Sequence, residues 1–471
     1  MYYVSTRGEA PRLDFADVLL TGLAPDGGLY VPETYPLLAP EEISDLATRP
    51  YSHAAERVIG PFVGNAIAAA DLRAMIDGAY ATFAHKAISP LVQIGPNKWV
   101  LELFHGTTLA FKDVAMQFLA RAMDHVLAER GRRATIVGAT SGDTGGAAID
   151  AFRHCERVDV FILFPDGRVS DVQRRQMTTV GGANVHALAI DGTFDDCQAI
   201  VKSMFVNPGF RDAVGLSGVN SINWARIVAQ IVYYVTSAAA LGSPERAVSY
   251  CVPTGNFGDI LAGYVAKNMG VPIDRLVVAT NVNDILARAL DTGGYETDQV
   301  VPTITPSMDI QVSSNFERLL FDANGRNPEP IRNMMARLKQ SGAFAIAAEP
   351  LSRIRSDFDA GRADEEETSQ TMQRTLSETG YLLDPHTAVG IAVANRMEST
   401  SPMVTLATAH PAKFPAAVES ACGIVPDLPE RVGDLFGREE RMTHLPADQA
   451  IVEAHVLATS RAGGGDARAA S

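Results

Sequence analysis

Between Asp113 and Thr280 the chain alternates short, unbroken apolar runs with stretches of helical apolar spacing, and this alternation restricts the fold more than any other feature. Val114, Phe118, Ala122 and Val126, with Leu119 and Met123 beside them, recur at helical spacing until Gly131 ends the run. ATIVGA at 134–139 then reads as a strand, SGDTGG as a turn, and Ala147 to Arg153 as a helix. VDVFILF at 158–164 has no polar alternation and so predicts a strand buried on both faces. Asp171 to Thr179 reads as the next helix and NVHALAI at 184–190 as a third strand. The rhythm returns with AVSYCV at 247–252, a helix running to Met269, and RLVVAT at 275–280. Strands alternating with helices predict an α/β protein with two parallel-sheet domains, each sheet covered by helices on both faces.

At 471 residues the chain exceeds what one hydrophobic core organises, so two or three domains sharing a cleft are expected. Residues 1–95 lack the strand–helix rhythm and contain turn clusters such as APDGG at 24–28, which predicts an N-terminal accessory domain. A smaller α/β domain is expected over 96–215 and a larger one over 216–445. Residues 446–471, ending in a Gly-, Ala- and Ser-rich stretch, read as a flexible tail with little burial.

The net charge of −15 opposes binding to nucleic acid or an anionic membrane, because such binding rests on clustered Lys and Arg. No apolar run reaches the roughly 18 residues of a membrane span, and the first residues lack a signal-peptide core, so a cytoplasmic location is expected. The sequence leaves the oligomeric state open between monomer and dimer. Cys155, Cys197, Cys251 and Cys422 are widely spaced, which argues against a disulfide framework or a metal site and for reduced, buried thiols.

Four segments carry candidate chemistry. In HGTTLAFKD, apolar Leu109, Ala110 and Phe111 lead Lys112 to a helix start, where desolvation disfavours its ammonium form and frees the amine as a nucleophile. Alone, such a lysine is more often a solvated surface residue. In PTGNFGD, Gly255, Asn256, Phe257, Gly258 and Asp259 link a strand to a helix, an arrangement that can cradle a phosphate with backbone amides and the helix N-terminus. A plain turn would look similar, and neither the Rossmann nor the P-loop spacing is matched. In ATSGDTGG, Ser141, Gly142, Asp143, Thr144 and Gly145 occupy the same kind of strand-to-helix edge and suit a carboxylate, unless Asp143 is simply a helix cap. Thr408 ends an apolar strand in TLATAHPAKF, within reach of a ring nitrogen.

Together these segments resemble the threonine synthases, which belong to the tryptophan-synthase-β-like, fold type II pyridoxal-phosphate enzymes. HGTTLAFKD, ATSGDTG, VNSINWARI at 219–227, PTGNFGD, SSNFERLL at 313–320, DPHTAVG at 384–390 and ATAHPAKF follow the family's order over most of residues 100–415. DGGLYVP at 26–32 is similar to the N-terminal segment of the family's longer-chain branch. One departure is Thr107, where the family usually has proline, which implies a looser turn. The resemblance implies pyridoxal 5'-phosphate as cofactor, Lys112 as its Schiff-base lysine, residues 255–259 as its phosphate loop and Thr408 as the partner of the pyridine nitrogen. It further implies that residues 141–145 face the substrate carboxylate.

The implied reaction converts O-phospho-L-homoserine and water to L-threonine and phosphate, with Lys112 as proton shuttle. Arg318 and Lys413, both inside shared motifs, are candidates for the substrate phosphate, although either can equally form a structural ion pair. His105 and His386 also fall in shared motifs and read more readily as structural hydrogen-bonding histidines. The competing readings are another fold type II lyase, such as a serine or threonine dehydratase or a phospho-lyase, and a catalytically silent binding homologue.

Overall fold

A computed structural model describes residues 1–462. A six-stranded sheet runs in the order Phe358–Arg362, Ile273–Thr280, Val248–Pro253, Met403–Ala407, Lys98–Glu102, Leu91–Gly95. Every neighbouring pair in it is parallel except the last, which is antiparallel. A second, five-stranded sheet, parallel throughout, runs Thr443–Pro446, Val185–Asp191, Val158–Pro165, Ala134–Ala139, Leu216–Ser217. The strand at 158–165 is buried along its whole length, as its unbroken apolar run requires. Helices Lys112–Glu129 and Trp224–Ala240, both buried over most of their length, pack against each other.

The N-terminal segment folds as expected outside this rhythm. A three-stranded antiparallel sheet of Leu13–Asp14, Tyr2–Ser5 and Tyr30–Pro32 is joined by four helices, from Phe15–Thr21 to Ala69–Tyr80. Its Tyr3, Phe15 and Phe62 share one continuous apolar core with Phe118 and Trp224.

The domain boundaries differ from those expected. Lys98–Glu102, assigned above to the smaller domain, pairs with Met403–Ala407 in the larger sheet, and its hairpin partner Leu91–Gly95 lies on the other side of the expected boundary at 95. Leu216–Ser217 and Thr443–Pro446 belong to the smaller sheet instead of the larger domain. The chain therefore enters the larger sheet first, leaves it to build most of the smaller one, returns, and crosses back to add Thr443–Pro446 to the smaller sheet. Strand pairing at such separation leaves no local trace in sequence.

The expectation of an unburied tail over 446–471 is also overturned for the described part. Gln449–Thr459 is a helix capped by Asp448, and its Val452 and Val456 are fully buried against the smaller domain. Arg461 and Ser460 then tie the chain to Asp159 and Thr135. Residues 463–471 lie outside the described residues.

Candidate active site

Lys112 begins its helix at the end of a tight turn. The Asp113 carboxylate accepts from Thr108 N–H at 2.8 Å and from Thr108 Oγ1 at 2.6 Å. Leu109 adopts a left-handed φ of 62° to complete the turn. Thr107 does not leave this turn loose: its hydroxyl donates to Asp150 Oδ2 at 2.5 Å and ties the turn to the helix Asp143–Phe152. Phe111 N–H donates to the Thr408 carbonyl at 2.8 Å, and Ala110 bridges Ala409, so the end of the Met403–Ala407 strand is held against the lysine segment.

The Lys112 ammonium is 8% exposed and reaches Asp143 Oδ2 at 3.5 Å. Burial pulls its pKa below the ordinary lysine value, and repulsion from Lys413 and Arg226 acts in the same direction against the attraction of Asp143. Asp143 stays ionised. Burial opposes its charge, but Lys413, Lys112 and the hydrogen bond from Gln173 outweigh it and hold the carboxyl well below its usual range.

The loop at 141–145 lies at the carboxyl edge of the Ala134–Ala139 strand. Thr140 Oγ1 accepts from Gly142 N–H and Gly145 N–H, each at 3.0 Å, and folds the loop around itself. Gly142 sits at φ 138°, and a Cβ there would come within 2.4 Å of the Gln173 amide. The backbone N–H groups of Ser141, Asp143 and Thr144 donate to no acceptor among the described residues. Neither do the hydroxyls of Ser141 and Thr144 find a partner there. These free donors at a helix start suit a carboxylate.

The loop at 255–259 has the same logic on the larger sheet. Phe257 takes a left-handed φ of 61°, directly before the helix Gly258–Asn268, and its ring is buried against Phe316. The N–H groups of Gly255, Asn256, Phe257 and Gly258 donate to no acceptor among the described residues. Gly255 cannot carry a side chain, since its Cβ would lie 2.7 Å from the Ser307 carbonyl. A turn that leaves four successive amides without an acceptor among the described residues at a helix N-terminus suits a phosphate. Asp259 stands just inside the helix with Oδ1 accepting from Tyr233 and Tyr234, while its buried Oδ2 has no partner. Burial raises its pKa to about 6.

The remaining candidates separate. Thr408 is close to the lysine turn, with no partner for its hydroxyl among the described residues. Lys413 is fully buried, with Nζ donating to Thr108 O and Gln176 Oε1 at 2.7 Å each and lying 3.1 Å from Asp143, so its donors are engaged within the protein. Arg318 is likewise enclosed, bonded to Tyr30 O, Ile222 O and Asn315 behind the phosphate loop. The geometry does not present either cation to a substrate phosphate.

His386 lies between Asp384 Oδ2 and Ser307 N–H, which supports the chain beside Gly255. His105 pairs with Glu102 at 2.7 Å and lines a separate cavity of about 530 Å³ with Tyr381, His410 and Arg431. Arg226, not singled out from the sequence, is buried with one bond to Val219 O and no partner at Nε among the described residues, and its charge acts on Lys112. The signal was present: a guanidinium in the apolar run NWARIVAQIV has no structural reason to be there unless something pairs with it.

A buried lysine of lowered pKa, four free amides at a helix start and an unpartnered hydroxyl beside the lysine fit the aldehyde, phosphate and ring nitrogen of pyridoxal phosphate. Fold and site thus define a fold type II pyridoxal-phosphate-dependent enzyme, and the family model "Pyridoxal-phosphate dependent enzyme" matches residues 86–338. The models "Threonine synthase N terminus" and "Threonine synthase, C-terminal" match 2–80 and 387–456. The threonine synthase of Pseudomonas aeruginosa is 54% identical over 459 residues, covering 97% of this chain and 98% of the relative. The crystal structure of pyridoxal-phosphate-bound threonine synthase from Brucella melitensis superposes with a TM-score of 0.97 at 60% identity, covering 98% of this chain and 100% of that one. The yeast threonine synthase structure gives 0.93 at 39% identity over 97% and 98%. The chain belongs to the threonine synthase family.

Proposed function

We propose that the chain converts O-phospho-L-homoserine and water to L-threonine and phosphate in the cytoplasm. The observation that carries this reading is Lys112, buried and of lowered pKa. It is paired with Asp143, in the loop whose Ser141 and Thr144 amides are unengaged among the described residues, and is electrostatically coupled to Asp259, which follows the unengaged amides of 255–258.

Bound pyridoxal phosphate supplies an electron sink that acidifies the Cα and Cβ protons of the amino acid. The amides of 255–258 and the following helix end would hold its phosphate. The Thr408 hydroxyl would pair with its ring nitrogen as a neutral partner. Ser141, Thr144 and the free amides beside them hold the substrate carboxylate. As a neutral amine Lys112 would remove the Cα proton and then a Cβ proton as phosphate leaves Cγ. It would return one proton to Cγ to form the methyl group while the other goes with the phosphate, and leave water to supply hydroxyl to Cβ and a proton to Cα. Arg226, with Nε unpaired, is the cation for the departing phosphate in place of Arg318 and Lys413.

The test is product analysis with purified protein offered O-phosphohomoserine, serine and threonine in turn. Threonine and phosphate in equal amounts are expected from the first, with loss of turnover and of the cofactor's visible band in Lys112→Ala. Phosphate without threonine would favour a phospho-lyase, deamination of serine or threonine a dehydratase, and no band after added cofactor a silent homologue.

A further inference from the structure

Arg318 is 1% exposed, yet no carboxylate forms a salt bridge with it among the described residues. Its guanidinium rests 5.3 Å from the Trp224 ring. A buried charge with only neutral partners is less favourable than an apolar side chain of the same volume, so packing alone does not explain an arginine here.

Its contacts come from three separate parts of the chain. Nε donates to the Tyr30 carbonyl of the N-terminal sheet at 3.0 Å. Nη2 donates at 2.6 Å to the Ile222 carbonyl, in the segment that leads into the helix bearing Arg226. Nη1 donates to Asn315 Oδ1.

Asn315 passes the constraint on. With Oδ1 held by the guanidinium, its amide has one orientation, and Nδ2 donates to Asn256 O at 3.0 Å and Ser221 O at 3.2 Å. Asn315 N–H donates to the same Asn256 carbonyl at 3.2 Å. Ser313 Oγ holds the neighbouring Gly255 carbonyl at 2.7 Å. Carbonyls fixed on one side of the loop leave its N–H groups free on the other.

We propose that Arg318 is a positioning residue that fixes Asn315, and through it the Asn256 peptide, so that the N-terminal domain sets the geometry of the 255–258 cradle. This rests on the reading of that cradle as the cofactor's phosphate site. It gives the N-terminal domain a part in cofactor binding, although no residue of that domain touches the cradle through a side chain in this chain of contacts.

The experiment titrates the full-length chain, freed of cofactor, with pyridoxal phosphate and with pyridoxal, following the visible band. The quantity read is the ratio of the two dissociation constants, which reports the phosphate contacts separately from overall stability. Arg318→Met and Asn315→Ala are each expected to reduce the wild-type preference for pyridoxal phosphate by at least about tenfold. The double variant is expected to lose little more than either single one, because the two act in series. Glu317→Gln weakens the Arg7 and Thr6 contacts at the same interface without touching Asn315, and is expected to keep the ratio.

Equal weakening of both ligands in Arg318→Met, additive losses, or an unchanged ratio in Asn315→Ala would each overturn the proposal. The last holds even if Arg318→Met does not fold. A wild-type chain that binds the two ligands equally would instead overturn the cradle reading itself.

Discussion

Lys413 Nζ lies 3.1 Å from Asp143 Oδ1, with both side chains buried, while Lys112 approaches the other oxygen of the same carboxylate at 3.5 Å. The two lysines are not equivalent. Lys413 has two further acceptors at 2.7 Å that fix its position, whereas Lys112 has only this long polar contact among the described residues, and burial lowers its pKa. One carboxylate therefore serves as counterion to Lys413 and weak anchor to Lys112.

Replacing Lys413 by Met is expected to shift Lys112 in a defined direction. The substitution removes a repelling charge and leaves Asp143 to Lys112 alone, so the Lys112 pKa rises and its amine is neutral only at higher pH. The pH midpoint for formation of the cofactor band, and the acidic limb of kcat/KM, are expected to move to higher pH. A midpoint that stays in place or moves down would contradict this. Breaking the buried pair is also expected to lower unfolding free energy by about 3 kcal/mol in urea titrations.

Much of the fold was legible because its strands are local apolar runs. Ala134–Ala139 falls where the sequence put it and Val158–Pro165 extends the expected strand by one residue. Lys98–Glu102 was misassigned because its place depends on a partner at Met403–Ala407, far away in sequence. At the site, the Lys112, 141–145 and 255–259 segments were each weak signals alone, and stood out because they occur together in the order of the shared family motifs. Arg226 did not, although it lies in the shared VNSINWARI segment as a lone charge in an apolar run, because nothing local shows which group its charge faces. Arg318 was visible as an arginine but not as a donor to carbonyls, since backbone acceptors have no sequence signature.

Gly142→Ala should separate substrate binding from cofactor binding. At φ 138° an alanine is strained, and its Cβ would meet the Gln173 amide at 2.4 Å. Gln173 is the residue that donates to Asp143 at 2.9 Å, so the disturbance enters the 141–145 loop and not the 255–258 turn. The expected result is a rise in KM for O-phosphohomoserine of about tenfold and a loss of about 2 kcal/mol in stability, with the cofactor band unchanged. Steady-state kinetics and thermal melts read both.

Asp259 gives a pH signature. Its pKa is raised by burial from 3.8 to about 6, so the folded chain holds this proton more tightly than the unfolded chain does. Stability is therefore unaffected below the unfolded value and falls as pH rises through the folded one. Compared at each pH with Asp259→Asn, which cannot ionise, the cofactor-free wild-type chain is expected to lose at most about 3 kcal/mol between pH 4 and pH 7. Urea midpoints of the two chains would check it, and a gap that stays constant with pH would contradict it. Asp113, raised to about 6 by the same burial, contributes to the slope of both chains equally.

The helix Gln449–Thr459 is a part of the smaller domain and not an appendage, and its two buried valines make this measurable. Val452 and Val456 sit one helical turn apart and meet a core that includes Phe210 and Ile190. Shortening each to alanine removes two carbons from a packed site, which is expected to lower unfolding free energy by about 2 kcal/mol per position. The exposed Ile451, on the opposite side of the helix, serves as the control and is expected to change stability by less than about 0.5 kcal/mol when made alanine. Because the helix packs against Phe194–Val206, Pro208–Val214 and Thr443–Pro446, none of which carries a candidate site residue, kcat/KM per folded molecule is expected to stay at the wild-type value in all three variants. Unchanged stability in Val452→Ala and Val456→Ala would return the segment to the status of a tail.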